Sequence, residues 1–438
     1  MTRHFHYVFP ALLLALASLA SANPEIPGAP QSKLIALKGA MVHPVSGPAI
    51  EEATLVLDKG KIVAIGKDVE VPEEADVVDV KGKHIYPGLF DANTEMGLAE
   101  VKSVRATIDL RETGLFNPNV RAIVAVNPDS EAIPVTRSNG VLLALAAPHG
   151  DLVAGRSAVI SLDGWTWEDM AVKADAGLHV IWPNLRAGRL PDDEEDQPKL
   201  KADEAIEKLH DLLDDARAYA AARAADAKYP LDARLQSLQD VLSRKLPLIV
   251  RADHVRQIQA AVAFCEHERL RLIILGGYDA ADCADLLKKY DVPVIVGGVY
   301  RLPQRQGDAY DAAYTLPERL RQAGVRFCIS CTDRHGAASV RNLPYHAATA
   351  AAYGLPPDEA LKAITLYPAQ ILGIANRVGS LEVGKDATLI VTNGDPLETP
   401  TQVEAAYIQG RKVDLNDRHK RLWHKYEEKY RRLDAAKK

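Results

Sequence analysis

Short, continuous apolar runs recur through the middle of the chain, each bounded by turn residues or by a helical pattern. Runs of this kind are typical of strands buried on both faces of a parallel sheet. Helical segments at 254–268 and 280–290 would supply crossovers between them. Eight runs fit this description, at 86–95, 141–148, 157–162, 177–183, 246–253, 270–277, 292–298 and 325–333. They predict an α/β fold with a (β/α)8 TIM-type barrel over residues 84–378; a doubly wound open sheet is the alternative.

The two ends of the chain show a different pattern, in which short apolar runs alternate with tight turns. Residues 33–83 contain the turn pairs Lys59-Gly60 and Lys81-Gly82, and residues 379–415 contain a second β-like piece. Neither piece is large enough to form a stable domain on its own. We therefore predict one small β-sandwich domain built from both segments.

Residues 1–22 have the pattern of a secretory signal peptide. Arg3 precedes the apolar run 8–19, and Ala20-Ser21-Ala22 supplies a small-x-small cleavage pattern. The run is short for a membrane span. We expect an exported protein, periplasmic or secreted, with no stable membrane insertion after cleavage. An uncleaved anchor is the alternative.

Residues 416–438 predict a basic amphipathic C-terminal helix. Leu422, Tyr426, Tyr430 and Leu433 recur at helical spacing among nine Lys and Arg residues. We expect the aromatic stripe to pack on the body of the protein while the charges are solvated. A helix that binds a membrane surface or a partner is the alternative.

Composition and charge limit the classes of partner that the protein could bind. The chain has 438 residues, is 47% hydrophobic and carries a net charge of −6. Without Arg3, 52 basic residues would face 59 acidic ones. This balance favours solubility and argues against a general nucleic-acid surface. The partner that we expect is a small-molecule substrate or ligand. The oligomeric state stays open.

The first barrel strand ends in three polar residues at alternate positions, Asp91, Asn93 and Glu95. Side chains alternate faces along a strand, so we expect these three to project to the same side. A cluster of polar groups at the end of a buried strand is a candidate site.

Long segments on both sides of the barrel resemble the amidohydrolase superfamily, and in particular its imidazolonepropionase-like exported members. Upstream the resemblance is carried by LDKGKIVAIG and VVDVKGKHIYPGLFDA, and downstream by AATAAAYGLPPDEALKAITLYPAQILGIANRVGSLEVGKDATLIVTNGDPL. It implies hydrolysis of a C–N or similar bond by a metal-activated water at the C-terminal mouth of the barrel. The implied cofactor is one divalent ion, Zn, Mn or Mg; a metal-free site is the alternative.

The family's metal ligands are only partly matched in this chain. The pattern has two histidines on strand 1, where Asn93 and Glu95 stand, and histidines on strands 5 and 6, where Arg251 and Gly276-Gly277 stand. The strand-8 Asp is matched by Asp333. The strand-4 ligand is not placed, although Lys173 and His179 are nearby. The resemblance therefore implies degenerate metal-ligand positions.

Two hypotheses follow for the mouth. In the first, Arg251 takes the place of the metal between the carboxylates of Glu95 and Asp333. In the second, Asn93, Glu95 and Asp333 bind a metal through oxygen atoms, with help from a histidine among His149, His254 and His335.

The functional prediction is an amidohydrolase-type hydrolase that acts on non-peptide or cyclic amide C–N bonds, with Asp333 as base and Arg251 as the second catalytic residue. Its substrate is unknown. The alternative is a pseudoenzyme, an exported barrel that binds a ligand or partner.

Overall fold

Two sheets organise the protein. The computed structural model describes residues 25–184, 200–331 and 336–436. The strands of the first sheet are β1 (Ile35–Val42), β2 (Ile50–Asp58), β3 (Lys61–Gly66), β4 (Asp76–Asp79), β5 (His84–Pro87), β14 (Leu389–Thr392), β15 (Val403–Ile408) and β16 (Arg411–Val413). Those of the second are β6 (Leu89–Thr94), β7 (Val141–Ala146), β8 (Val153–Ser161), β9 (Ala171–Ile181), β10 (Leu248–Ala252), β11 (Leu272–Gly276), β12 (Val294–Val296) and β13 (Phe327–Ile329).

The first sheet joins the two ends of the chain. Its order is β16-β15-β14-β5-β1-β2-β3, with β4 paired to β1, and β5 meets β14 in antiparallel register at Ile85 and Val391. One face buries a cluster that includes Leu55, Leu389 and Tyr407. The composite origin expected from the sequence is therefore present in this sheet, whereas its packing as a sandwich stays a prediction.

The second sheet forms a nearly closed barrel. Its eight strands are neighbours in chain order, from β6 to β13, and each overlaps one of the apolar runs picked out in the sequence. Inside the barrel lie Phe90, Leu143 and Ile249, with other apolar side chains. The side chains that alternate with these along each strand point outward and pack against the helices. This two-sided burial explains why the strands read as continuous apolar runs.

One strand contradicts the all-parallel prediction. β8 runs antiparallel to both β7 and β9, while the other neighbouring pairs of this sheet are parallel. The connection from β7 to β8 covers only 147–152, and that from β8 to β9 covers 162–170. A parallel crossover needs about a dozen residues or more, so these short links favour hairpins.

The barrel closes through a side chain. Strands β6 and β13 are the two ends of the sheet order. Between them, the carboxylate of Asp91 accepts hydrogen bonds from the amide of Cys331 at 3.2 Å and from the amide of Asn93 at 3.0 Å. Asp91 is fully buried. The first barrel strand is thus fixed to the chain that leaves the last one.

Helices cover the outside of the barrel and end the chain. Their bounds are α1 (Ala132–Arg137), α2 (Trp167–Met170), α3 (Ala202–Ala225), α4 (Ala233–Ser237), α5 (Gln239–Leu242), α6 (Val255–Glu268), α7 (Ala284–Lys289), α8 (Ala312–Ala323), α9 (Leu343–Ala352), α10 (Pro357–Lys362), α11 (Leu366–Ile371) and α12 (Arg418–Ala436). Among the described helices, none combines the length and apolar character that a bilayer crossing requires.

The C-terminal helix α12 exists, but its expected packing is wrong. None of its described residues is buried, and Trp423 and Tyr430 remain 60% and 61% exposed. Helical periodicity shows that one face is apolar, but it carries no information about whether the body offers a surface to cover that face.

Asp386 links the composite sheet to the barrel, and its removal should destabilise the protein. Its buried carboxylate lies 2.5 Å from Lys61 Nζ and 2.8 Å from Arg377 Nη2, and Arg377 also donates to the carbonyl of Val172 on β9. Asp386→Ala should lower the free energy of unfolding by about 2 kcal/mol, because two cations lose a buried partner but are themselves partly solvated. Denaturant unfolding measures this change.

Asp76→Ala is the matched control. Its ion pair with Lys33 spans 3.6 Å, and both side chains are mostly exposed. It should cost less than about 1 kcal/mol. Equal losses in the two variants would show that Asp386 is not a structural link.

Candidate active site at the barrel mouth

Glu95 is a buried carboxylate held by two basic side chains. It follows β6, where the chain leaves the barrel. Lys102 Nζ, from the next loop, lies 3.1 Å from Glu95 Oε2 and donates a 3.3 Å hydrogen bond to Oε1. His149 Nε2, from the link between β7 and β8, lies 3.5 Å from Oε1. The negative charge expected at this strand end is therefore present and locally balanced.

Gly336 covers the same carboxylate. Its φ of +58° lies in the left-handed region, and a Cβ at this position would collide with Glu95 Oε2. A glycine is the residue that tolerates both conditions. The backbone after the last barrel strand therefore approaches Glu95 more closely than a side chain would allow.

His179 and Arg251 lie on adjacent strands, where His179 on β9 pairs with Ile249 of β10. Burial, together with the charges of Arg251 and His149, lowers the pKa of His179 to about 3. Its Nε2 is buried without a hydrogen-bond partner among the described residues. His179 is thus a neutral imidazole with one ring nitrogen available to a ligand.

The sequence-predicted residues are only partly brought together. Asn93 is buried, and its amide bonds to Asp91. Asp333 and His335 lie outside the described residues, so the roles predicted for them stay predictions. Arg251 lies on β10, but the ion pairs described for Glu95 are with Lys102 and His149. Replacement of a metal by Arg251 also stays a prediction.

His254, the remaining histidine considered from the sequence, belongs to a neighbouring cluster. Its Nδ1 lies 3.7 Å from Asp279 Oδ2. It sits at the start of α6, beyond the end of β10, where its backbone amide donates a hydrogen bond to Oε1 of Gln257. Its described contacts therefore fit a helix cap better than a metal ligand.

An ion pair occupies the region where β10 and β11, the fifth and sixth barrel strands, end. Arg301 donates two hydrogen bonds to Asp253, at 2.8 and 3.1 Å. Burial by itself would raise the pKa of Asp253, but the charge and hydrogen bonds of Arg301 and the amide of Tyr278 hold that pKa below its usual value. The carboxylate stays ionised at neutral pH.

The backbone at Gly276 packs closely against the carboxylate of Asp253. Its φ is +101°, and a Cβ there would lie 2.7 Å from Asp253 Oδ1. The space beside Gly276 is therefore filled by the side chain of Asp253, which follows β10. Sequence reasoning missed this pair because Arg301 is 48 residues away from Asp253.

Lys102 and a second ion-pair cluster were also missed. Arg305 binds both Asp279 and Asp308, and Tyr278 donates a hydrogen bond to Asp308 at 3.0 Å. One signal was available, because Asp253 and Asp279 each lie shortly after a barrel strand. For Lys102 no spacing or motif distinguishes it from other surface lysines.

The described residues at the mouth do not fit a metal centre of the usual type. Within the described ranges, no three His, Cys, Asp or Glu side chains converge there; the one such group lies elsewhere. The Glu95 carboxylate already has the ammonium of Lys102 beside it, which opposes a divalent cation electrostatically. The unpartnered Nε2 of His179 is a suitable ligand atom but does not complete a set.

Gly276→Ala should destabilise the protein and disturb the Asp253–Arg301 pair. The added methyl combines left-handed strain with a collision against a carboxylate, so we expect a loss of about 2–3 kcal/mol in unfolding free energy. Gly82→Ala isolates the strain, because Gly82 has a φ of +74° and nothing within 4 Å of its Cβ position. Urea unfolding of both variants measures the difference. Equal losses would exclude a role for Asp253.

His179 should make the protein less stable in mild acid. An unfolded histidine binds a proton below about pH 6.5, whereas folded His179 stays neutral down to about pH 3. Between these values the unfolded chain holds more protons, so stability falls as pH falls, by up to about 1.4 kcal/mol per pH unit. His179→Asn should flatten the profile between about pH 6 and pH 4. Denaturant unfolding at several pH values tests this, with exposed His424→Asn as control. An unchanged slope in His179→Asn would refute it.

The known proteins to which this chain is similar include amidohydrolases and imidazolonepropionases. The model of the amidohydrolase family matches residues 300–416. The chain is 24% identical over 401 residues to an imidazolonepropionase of Mesorhizobium japonicum, covering 85% of this chain and 92% of that protein. It is 23% identical over 377 residues to an imidazolonepropionase of Brucella anthropi, covering 78% and 87% of the two chains.

A solved structure extends the likeness to the whole fold. The crystal structure of an amidohydrolase from Thermotoga maritima superposes with a TM-score of 0.79 at 27% identity, covering 87% of this chain and 99% of the other. Together, these similarities show that the chain resembles amidohydrolases along most of its length; they do not indicate a substrate.

Proposed function

We propose that the protein hydrolyses a C–N bond of a non-peptide or cyclic amide at the barrel mouth. The observation that carries this proposal is the buried Glu95 carboxylate, held between Lys102 and His149 at the end of β6. Relatives named imidazolonepropionase and amidohydrolase support the reaction class.

The energetic cost of this cluster favours a functional role. Taking a carboxylate out of water costs several kcal/mol unless nearby cations and donors compensate. At the C-terminal end of barrel strands, such groups are more often part of an active site than of the stabilising core. His179 adds a strongly lowered pKa in the same region, which is a further mark of functional sites.

The chain's own residues can activate water. His149 is partly exposed, and a neutral imidazole accepts a proton from water as it attacks the carbonyl carbon. Glu95 then stabilises the imidazolium that forms. When the C–N bond breaks, the imidazolium returns the proton to the leaving nitrogen. Asp333 is the alternative base, on the strength of the family resemblance.

Cations near the mouth suit the developing negative charge. As the carbonyl becomes tetrahedral, its oxygen gains charge that a nearby guanidinium stabilises. Arg251 is close enough to His179 to affect its pKa, and we assign it this role. Amidohydrolases typically bind divalent metals, which activate water directly. The described residues do not supply that ligand set, so no step is assigned to a metal.

We also propose that the protein works outside the cytoplasm, after cleavage near residue 22. This rests on the charged, apolar and small-residue succession at the start of the chain. Mass spectrometry of the N-terminus of protein recovered from an export-competent host would locate the cleavage.

A binding protein without turnover is the second candidate. The Asp253–Arg301 pair fills the space of a strand-6 ligand, and Lys102 neutralises Glu95, so the mouth is charge-balanced without a reaction. Binding of a small amide with no product formed would favour this candidate.

Glu95→Gln should abolish most turnover of any active substrate. A screen of lactams, cyclic ureides and dipeptides, with and without chelator and added Zn, Mn or Mg, would first identify one. Glu95→Gln and His149→Gln should then each lower kcat by about 100-fold or more, as expected for loss of a general base and its partner. Asp333→Asn tests the alternative base separately.

Glu100→Gln is the matched control, since it removes an exposed carboxylate from the same loop. Its kcat should equal that of the unmodified protein. Wild-type turnover in Glu95→Gln would remove Glu95 from the mechanism, and sensitivity to chelator would show that a metal takes part despite the described ligand set.

A further inference from the structure

Two histidines and a glutamate meet on the outer helices of the barrel. His210 lies on α3, while His267 and Glu268 end α6. Helix α6 starts at the mouth end of β10 and returns towards the start of β11, so its last residues lie at the opposite end of the barrel from Glu95. This group is therefore separate from the candidate active site.

The ligand atoms of the three side chains converge. His210 Nδ1, His267 Nε2 and a Glu268 carboxylate oxygen all lie within 4.8 Å of one another. Glu268 Oε1 is 2.5 Å from His210 Nδ1 and 4.0 Å from His267 Nε2. The two imidazole rings thus face the same oxygen from two different helices.

The spacing is close to that of a tetrahedral zinc site. With Zn–N and Zn–O bonds of about 2.0–2.1 Å, neighbouring ligand atoms lie about 3.3 Å apart. Both separations from Glu268 Oε1 need to change by less than about 1 Å to reach this value. The movable partner is His267, whose side chain is 77% exposed.

The carboxylate is already oriented for such a role. Glu268 is 5% exposed, and Arg217 donates a 2.5 Å hydrogen bond to its Oε2 while also binding Asp214. This leaves Oε1 directed at the two histidines. Partners that fix the second oxygen of a ligand are a regular part of metal sites. The His210 ring, in turn, packs on Phe264 with 4.6 Å between ring centroids.

We propose that His210, His267 and Glu268 bind a zinc ion that joins α3 to α6, with water in the fourth position. Two imidazoles and one carboxylate suit Zn better than Mg or Ca, which prefer sets of oxygen ligands. A hydrogen bond between His210 and Glu268 alone would explain the positions of those two side chains. The zinc site also explains why the exposed His267 side chain lies near the same oxygen.

Zinc binding by the untagged, chelator-stripped full chain tests the proposal. With Zn²⁺ alone as probe, calorimetry should show a site that also raises the thermal unfolding midpoint, because the ion binds only the folded arrangement. His267→Ala should weaken this binding by at least about tenfold, as expected for loss of one of three protein ligands. Because His267 is exposed, the variant should fold and unfold like the wild type without zinc.

Two comparisons make the outcome decisive. His424→Ala removes another exposed histidine and should leave zinc affinity unchanged. Glu95→Gln reports any zinc held at the mouth and should also leave this site unchanged, so failure here and failure of the proposed hydrolase are distinguishable. Absence of zinc binding by the wild type, or wild-type affinity and zinc-dependent stabilisation in His267→Ala, would overturn the proposal.

Discussion

Closure of the barrel by Asp91 is the constraint on which the mouth depends. β6 and β13 end the sheet order, and the fully buried carboxylate between them accepts hydrogen bonds from the amides of Cys331 and Asn93. Without such partners, burial of this group would cost several kcal/mol. Because Asp91 and Glu95 belong to the same short segment, the bond that closes the barrel also fixes the backbone from which Glu95 extends.

Charge balance is the second constraint, and the loops supply it. Lys102 and His149 lie beside Glu95, while Arg301 holds Asp253. In each case a strand end contributes the carboxylate and a connecting loop contributes the cation. A divalent ion would supply the same compensating positive charge. Here Lys102 and Arg301, which belong to the chain, place positive charge beside the two carboxylates.

Sequence patterns were informative where burial alone sets the pattern. The eight barrel strands were found because burial on both faces makes each run apolar, and Glu95 was singled out because it ends the first of those runs. The roles predicted for Glu95 and Arg251 stay predictions. The direction of β8 was missed, although the short link 147–152 carried the signal. The exposure of α12, the position of Lys102 and the pairing of Arg301 depend on tertiary contacts that local periodicity does not encode.

The strand-6 position shows why residue-by-residue comparison with a family pattern is incomplete. Read from the sequence alone, Gly276 belongs to the glycine pair that the family resemblance places at a histidine position. In the fold, Gly276 adopts a φ of +101° and leaves room for Asp253 Oδ1, 2.7 Å from where a Cβ would lie. Arg301 then binds that carboxylate through two hydrogen bonds. Any side chain at 276 would meet Asp253, so Gly276, Asp253 and Arg301 act as one coupled arrangement.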